Sequence, residues 1–148
     1  MHSINIVKEF PQIYHLEIKE NNEKLMYDEA INQLTKNCDG IPLKDITSIK
    51  YFVNTWGLSS NNWFAENIIP KMIKLEKIDL SNTNNSKHRT DVGRGVQAIL
   101  NATKGLKIKH VDISKNVMDG DGAKWLKDFI ETTPTLKVLV AGSCKLQD

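Results

Sequence analysis

The stretch that decides the fold is residues 108–118, which read IKHVDISKNVM. Ile108, Val111 and Ile113 are apolar at its first, fourth and sixth positions, and Asn116 follows at the ninth. Because side chains alternate between the two faces of a strand, Val111 and Ile113 predict a short strand with one buried face. The Asn116 side chain can hydrogen-bond nearby backbone groups, so it predicts a sharp turn after that strand.

The same pattern occurs five times along the chain. The copies begin near residues 13, 46, 75, 108 and 136, at steps of 33, 29, 33 and 28 residues. In each copy a residue that suits a tight turn lies eight positions after the first apolar one, and these residues are Asn21, Asn54, Thr83, Asn116 and Cys144. This pattern is typical of leucine-rich repeats. We therefore predict an α/β fold in which residues 1–148 form one open, right-handed solenoid, with about five parallel strands on its concave face and four helices on its convex face.

Composition and charge exclude several classes of protein. The net charge of the 148 residues is +2, which is too small for the concentrated basic face of a nucleic-acid-binding protein. No apolar run is long enough to span a membrane. Residues 1–9 also lack the apolar centre of a signal peptide. We expect a soluble, cytoplasmic protein with reduced thiols at Cys38 and Cys144, and neither a nucleic acid nor a membrane as its partner.

The segments between the predicted strands have the apolar spacing of helices. Helices are predicted over Asn22–Lys36, from Ser59 or Ser60 to Pro70, from Asp91 or Val92 onward, and over Ala123–Ile130. Strands after the first are predicted at Thr47–Tyr51, Glu76–Leu80, around Val111, and at Lys137–Ala141. Trp63 has the spacing of a core residue of the second helix. Residues 81–91 contain no apolar side chain and predict a polar loop at the edge where strands lead into helices.

No set of residues in the sequence predicts catalysis. A phosphate-binding glycine loop, a Ser-His-Asp arrangement and a Cys-x-x-Cys pair are all missing. His15 and His110 occupy equivalent strand positions but lie three strands apart, about 14 Å at the usual strand spacing, which is too far for one metal ion. Residues 119–122 resemble a calcium loop but lack the spacing and final Glu of an EF-hand. We expect neither enzymatic activity nor a cofactor or metal.

Equivalent positions of stacked repeats form columns on the strand face. One outward column contains charges of both signs, and a neighbouring column mixes polar and charged residues; the two columns read Glu17, Lys50, Asp79, Asp112, Val140 and His15, Ser48, Lys77, His110, Val138. Mixed charge without a basic stripe suits a protein partner better than a polyanion. Lys50, Asp79 and Asp112 are the predicted binding residues of this face.

The repeats resemble those of a known class of proteins. Alternation near 28 and 33 residues, with one full helix each, resembles the ribonuclease-inhibitor-like class. Within that class, residues 54–57 (Asn-Thr-Trp-Gly), Trp63 and residues 66–68 (Glu-Asn-Ile) resemble the second unit of the Ran GTPase-activating proteins. Residues 114–116 (Ser-Lys-Asn) resemble the Ser-Asp-Asn unit of the same family.

The resemblance implies a binding rim for a small GTPase. Arg89 is the best match to an exposed Arg in the long unit of that family, and Lys87 and His88 precede it in the polar loop. Asn116 and Ser143 occupy the following turns of the same rim. The family presents an Asn near the position of Ser143 that orients the catalytic Gln of Ran, and this chain has none there. The implied function is GTPase activation at the active site of a Ran-like partner.

Two other functions fit the repeats. Residues 80–83 (Leu-Ser-Asn-Thr) and residues 112–116 (Asp-Ile-Ser-Lys-Asn) are similar to turns of the CARMIL-type regulators of actin capping protein. A structural repeat subunit of a larger assembly is the third possibility. In each case the last predicted strand leaves an uncapped C-terminal edge, with backbone groups free to pair. We expect further repeats, another copy or an assembly to cover that edge.

Overall fold

The computed structural model describes residues 14–18, 25–81, 89–118, 122–142 and 145–146. Its centre is a five-stranded sheet made of β1 (His15–Ile18), β2 (Ser48–Tyr51), β3 (Lys77–Asp79), β4 (His110–Asp112) and β6 (Val138–Val140). The strands pair in this order and every pair is parallel. The prediction of about five parallel strands is therefore confirmed, with strand boundaries that differ from the predicted ones by one residue.

Helices connect consecutive strands, as parallel pairing requires. Over the described residues there are four helices of ten or more residues, α1 (Tyr27–Cys38), α3 (Leu58–Asn67), α4 (Arg89–Asn101) and α5 (Gly122–Glu131). A one-turn helix, α2 (Val53–Trp56), precedes α3, and short 3-10 turns span Leu43–Asp45 and Ile69–Lys71. Neighbouring long helices contact each other in chain order. In the described part of the chain, no helix combines the length and the apolar character needed to cross a bilayer.

The alternation of side chains along the strands places the core on one side of the sheet. Fully or nearly fully buried strand residues are Leu16, Ile18, Ile49, Tyr51, Ile78 and Val111. Leu80 and Ile113, which follow β3 and β4, are also fully buried, as the repeat pattern predicts. The long helices pack onto this layer through apolar residues at three- and four-residue steps, which include Ala30, Leu34, Phe64, Val96, Ile99, Leu100, Leu126 and Phe129.

One backbone carbonyl in each unit connects that unit to the next. The Tyr14 oxygen accepts hydrogen bonds from the N–H groups of Thr47 and Ser48, at 2.8 and 3.0 Å. The same double acceptor recurs at the equivalent residues Thr47, Glu76 and Lys109. This repeated contact fixes every strand in the same register relative to its neighbour.

Several local predictions are wrong. The structure places the start of α1 at Tyr27 instead of Asn22, and Met26, predicted to lie in its apolar stripe, is 73% exposed. Ile130 is exposed at the end of α5 and not buried as predicted. The predicted turn at Asn54 is the helix α2, because Val53 and Trp56 on this turn enter the core.

A second, smaller sheet lies beside the main one and was not predicted. It consists of β5 (Val117–Met118) and β7 (Lys145–Leu146), which pair in parallel. The two strands follow the turns at Asn116 and at residues 143–144, so the repeat register continues beyond the turns. The loop at residues 82–88 and the turn residues 119–121 and 143–144 lie outside the described residues.

Candidate protein-binding face

The strand face of the sheet is the candidate site, and its residues form the two predicted columns. His15, Ser48, Lys77, His110 and Val138 are successive register partners, and so are Glu17, Lys50, Asp79, Asp112 and Val140. All of these side chains are exposed or half-buried, whereas the alternate residues of the first four strands are buried. A rigid core layer therefore holds ten outward side chains at fixed spacing.

Lys50 and Asp79 satisfy each other across neighbouring strands. The Lys50 Nζ atom lies 3.2 Å from Asp79 Oδ2 and 3.4 Å from Ser81 Oγ. It also lies 4.9 Å from the centroid of the Phe52 ring, a cation–π distance. The two charged side chains are 22% and 26% exposed, so solvent screens this pair less than it screens an exposed ion pair. Two of the three predicted strand-face residues are therefore engaged with each other.

Asp79 also shapes the turn that follows β3. Its Oδ1 atom accepts hydrogen bonds from the Ser81 N–H at 2.8 Å and from the Ser81 hydroxyl at 2.6 Å. Partial burial raises the pKa of the Asp79 carboxyl, but the hydrogen bonds from Ser81 and the ammonium of Lys50 outweigh that effect. The pKa is consequently lowered from its ordinary value, and the carboxylate is ionised at neutral pH.

Asp112 repeats the geometry of Asp79 one strand further on. Its Oδ1 atom accepts hydrogen bonds from the Ser114 N–H at 2.9 Å and from the Ser114 hydroxyl at 2.6 Å. The two carboxylates are register partners, yet no ion pair to Asp112 occurs among the described residues. Asp112 thus has the same turn as Asp79 without the lysine.

The two histidines of the other column have different surroundings. His15 lies against Ser48, with 2.9 Å between Nδ1 and the hydroxyl oxygen. The Nδ1 atom of His110 is buried and has no hydrogen-bond partner within the described part of the structure. Three register steps separate the two residues. The described residues contain no group of three His, Cys, Asp or Glu side chains that could hold a metal ion.

The strand face becomes apolar at β6. Val138 is 44% exposed and Val140 is 37% exposed, and they are the register partners of His110 and Asp112. The face therefore changes from charged side chains on β2 and β3 to a carboxylate beside two valines on β4 and β6. Such a mixture of apolar area and isolated charge is typical of protein-binding surfaces.

The structure separates the predicted rim residues. Lys87, His88 and Ser143 lie outside the described residues, and Arg89 is the first residue of α4. Asn116 is fully buried, which corrects its predicted role as a surface contact. Its Nδ2 atom donates hydrogen bonds to the carbonyls of Leu80 at 2.7 Å and Ile113 at 3.0 Å. Asn116 therefore holds the turn to the preceding unit from inside the protein.

Sequence reasoning missed two features around the helices. An open cleft of about 350 Å³ lies between α1 and α3, and it is lined by Tyr27, Ser59, Asn62, Trp63 and Glu66. Trp63 was predicted to be core and is half-buried on the wall of this cleft. The serines of the two Asp turns were also missed, although the repeated Asp-x-Ser spacing at residues 79–81 and 112–114 was a signal that could have revealed them.

No protein-family model matches this chain, and no curated protein matches it. Support for a function therefore comes from the residues of the chain and from their arrangement in the structure.

Proposed function

We propose that this chain is a leucine-rich-repeat module that binds a protein partner, with the sheet on the concave side of an open solenoid and the helices on the convex side. The observation that carries the proposal is the register of the sheet, in which every strand contributes two outward residues to the same two columns. The repeated carbonyl contact between units and the recurring Asp-x-Ser turns support a stack of equivalent units.

The strand face has the properties that a protein partner requires. Its side chains project from strands whose opposite face is buried, so little conformational freedom is lost when a partner binds. It has cations on β2 and β3, carboxylates on β3 and β4, and apolar side chains on β6. A surface with these alternating properties favours one docking orientation over others.

The specific function that we propose is activation of a Ran-like small GTPase in the cytoplasm. The support is the resemblance of residues 54–57 and 114–116 to the Ran GTPase-activating proteins, together with Arg89 at the first position of α4. A loop at the edge of a rigid scaffold is a common position for binding residues. The rim formed by Lys87, His88, Arg89 and Ser143 would contact the GTPase and would stabilise the charge that develops during GTP hydrolysis. Asn116 would act indirectly by holding its turn.

The test is a binding assay with the full chain and three candidate partners: GTP-loaded Ran, GDP-loaded Ran and actin capping protein. We expect GTP-loaded Ran to be retained more strongly than the GDP-loaded form, because an activator must recognise the substrate state. Retention of capping protein alone would replace GTPase activation with the CARMIL-like function. Retention of none of the three would contradict both and leave the structural-subunit role.

A matched pair of variants tests the rim itself. Arg89→Ala should slow stimulated GTP hydrolysis by about tenfold or more, the low end of effects seen when an activating arginine is removed. Arg94→Ala removes an exposed arginine from the same helix and should leave the rate within about twofold. Equal rates for the two variants, with unchanged circular dichroism, would remove Arg89 from the proposed site.

A further inference from the structure

We propose that Asp112, Val138 and Val140 form a site on the strand face for a basic side chain, lysine or arginine, of a protein partner. The inference rests on the proposed role of the strand face as a protein-binding surface, and it adds the chemistry of the group that is recognised.

The first step is the difference between the two equivalent aspartates. Both use Oδ1 to accept two hydrogen bonds from the serine two residues later, so both carboxylates are held in one orientation. Asp79 also has Lys50 Nζ 3.2 Å from its second oxygen. Among the described residues Asp112 has no such cation, and its neighbours in the register are another carboxylate and a valine. The second oxygen of Asp112 is therefore oriented and available to a cation from outside.

The second step is the surface beside that oxygen. Val140 is the register partner of Asp112, and Val138 lies one position earlier on the same face of β6, beside His110. Neighbouring strands lie about 4.8 Å apart, so the valine methyl groups are within one side-chain length of the carboxylate. Both valines are more than one third exposed. An apolar strip next to a single carboxylate matches a lysine or arginine, whose aliphatic stem covers apolar surface while its charged end reaches a polar group.

The third step excludes the neighbouring cations of the chain itself. The lysines that form ion pairs among the described residues are Lys50, Lys74, Lys109 and Lys127, and all of them pair with other carboxylates. Lys50 is already held by Asp79, Ser81 and the Phe52 ring. The site at Asp112 therefore complements a positive charge that a partner supplies.

The experiment is a titration of the full chain with short peptides, followed by NMR at the Asp112 amide and at the methyl groups of Val138 and Val140. The probes are acetylated and amidated Ala-Ala-Arg-Ala-Ala, the same peptide with lysine, and the same peptide with citrulline, which keeps the shape of arginine without its charge. We expect saturable shifts at all three residues with arginine or lysine, and binding at least about fivefold weaker with citrulline. The two basic peptides identify which cation the site prefers.

Matched variants identify the residue responsible. Asp112→Asn keeps an oxygen that can accept both Ser114 bonds and removes the charge, so it should reduce the affinity for the basic peptide to that for citrulline. Asp79→Asn alters the same type of turn and changes the net charge of the protein by the same amount, and it should retain most of the affinity. Val140→Thr, which keeps the branched shape, should weaken binding of all three peptides.

Three results would overturn the proposal: equal affinity for the arginine and citrulline peptides, an equal loss in Asp79→Asn and Asp112→Asn, or shifts confined to other parts of the chain. Because the titration uses no GTPase, these results are independent of those of the partner-binding assay. A negative assay with Ran and capping protein would remove those two partners and leave the basic-side-chain site standing.

Discussion

The hydroxyl of Tyr51 donates a 2.7 Å hydrogen bond to Oδ1 of Asn61, and this bond ties strand β2 to helix α3 inside the core. The other end of the Asn61 amide donates a 2.7 Å hydrogen bond to the carbonyl of Val53 in α2. The Tyr51 ring is stacked on Phe64, with 4.3 Å between the ring centroids. Asn61 is only 1% exposed, so these groups have no access to water as a substitute partner.

Replacing Asn61 with Ala should lower the free energy of unfolding by about 2–4 kcal/mol, because the Tyr51 hydroxyl and the Val53 carbonyl would both remain buried without a partner. Urea denaturation measures the loss. Asn62→Ala, at the exposed neighbouring position of the same helix, should change the stability by no more than about 0.5 kcal/mol. If Asn61→Ala were as mild as Asn62→Ala, the buried network would have no structural role.

Gly95 allows α4 to approach the other helices closely. A Cβ atom at this position would lie 2.5 Å from Val53 Cγ1 and 2.8 Å from Asn61 Nδ2. Gly95→Ala should therefore destabilise the protein by about 1–2 kcal/mol, even though Ala favours a helix by about 1 kcal/mol. Thermal unfolding measures this difference. Gly142→Ala is the control, since no heavy atom lies within 4 Å of a Cβ added there.

The contact itself can be tested by a double variant. Val53→Ala removes the methyl group that the new Cβ would meet, so its cost should be smaller in the Gly95→Ala background than in the wild type. Strictly additive losses would show that Gly95 is required for a reason other than its closeness to Val53.

Lys115 has a left-handed backbone conformation, with φ of 61°, in the turn between β4 and Asn116. Its side chain is exposed, so the strain is a property of the backbone. Lys115→Gly should raise the free energy of unfolding by up to about 1 kcal/mol, because relief of about 1–2 kcal/mol exceeds the entropy cost of glycine. Lys115→Ala removes the same charge but keeps a Cβ atom, and it should leave the stability unchanged. An equal gain in both variants would attribute the effect to charge.

Burial of Cys38 predicts a loss of stability at alkaline pH. Burial raises the pKa of this thiol from 9.0 to about 11, although the Lys71 ammonium opposes the shift. Because the pKa is higher in the folded state, the contribution is complete below pH 9 and is lost as the pH rises through about 11. The loss should reach no more than about 3 kcal/mol. Urea unfolding between pH 8 and 11 follows it.

Two variants separate the groups that titrate in this range. Burial also raises the pKa of Tyr51 well above its ordinary value, so that residue adds a further loss above pH 10. Cys38→Ala should flatten the change between pH 9 and 10, where the tyrosine contributes little, and Tyr51→Phe should leave that part of the curve in place. An unaltered pH dependence in Cys38→Ala would rule out the thiol as its source.

The main sheet could be predicted because each strand contributes its own apolar pattern. The spacing of Leu16, Ile49, Ile78, Val111 and Leu139 aligned the five units, and the register of the structure pairs these same residues. That alignment also gave the two outward columns. Solvent-facing charges at equivalent positions were therefore identified without coordinates, and the pairing of Lys50 with Asp79 follows from their adjacency in one column.

Features that depend on contacts between helices could not be predicted in this way. The need for Gly95 arises from Val53 and Asn61, which are more than 30 residues away in the chain. In the sequence Asn61 is one polar residue among several in α3, and only the approach of Tyr51 and Val53 makes it part of the core. Asn116 was assigned to the surface because its pattern defines a turn, and a pattern does not tell whether the turn residue faces solvent.

The double hydrogen bond at each unit boundary has a mechanical consequence. The carbonyls of Tyr14, Thr47, Glu76 and Lys109 accept their bonds across the strands and not along them. A force applied across the sheet would load one boundary at a time, like a zip, whereas a force along the strands would shear many bonds together. Single-molecule stretching across the strands should therefore detach the units in succession at low force, with one short extension for each repeat.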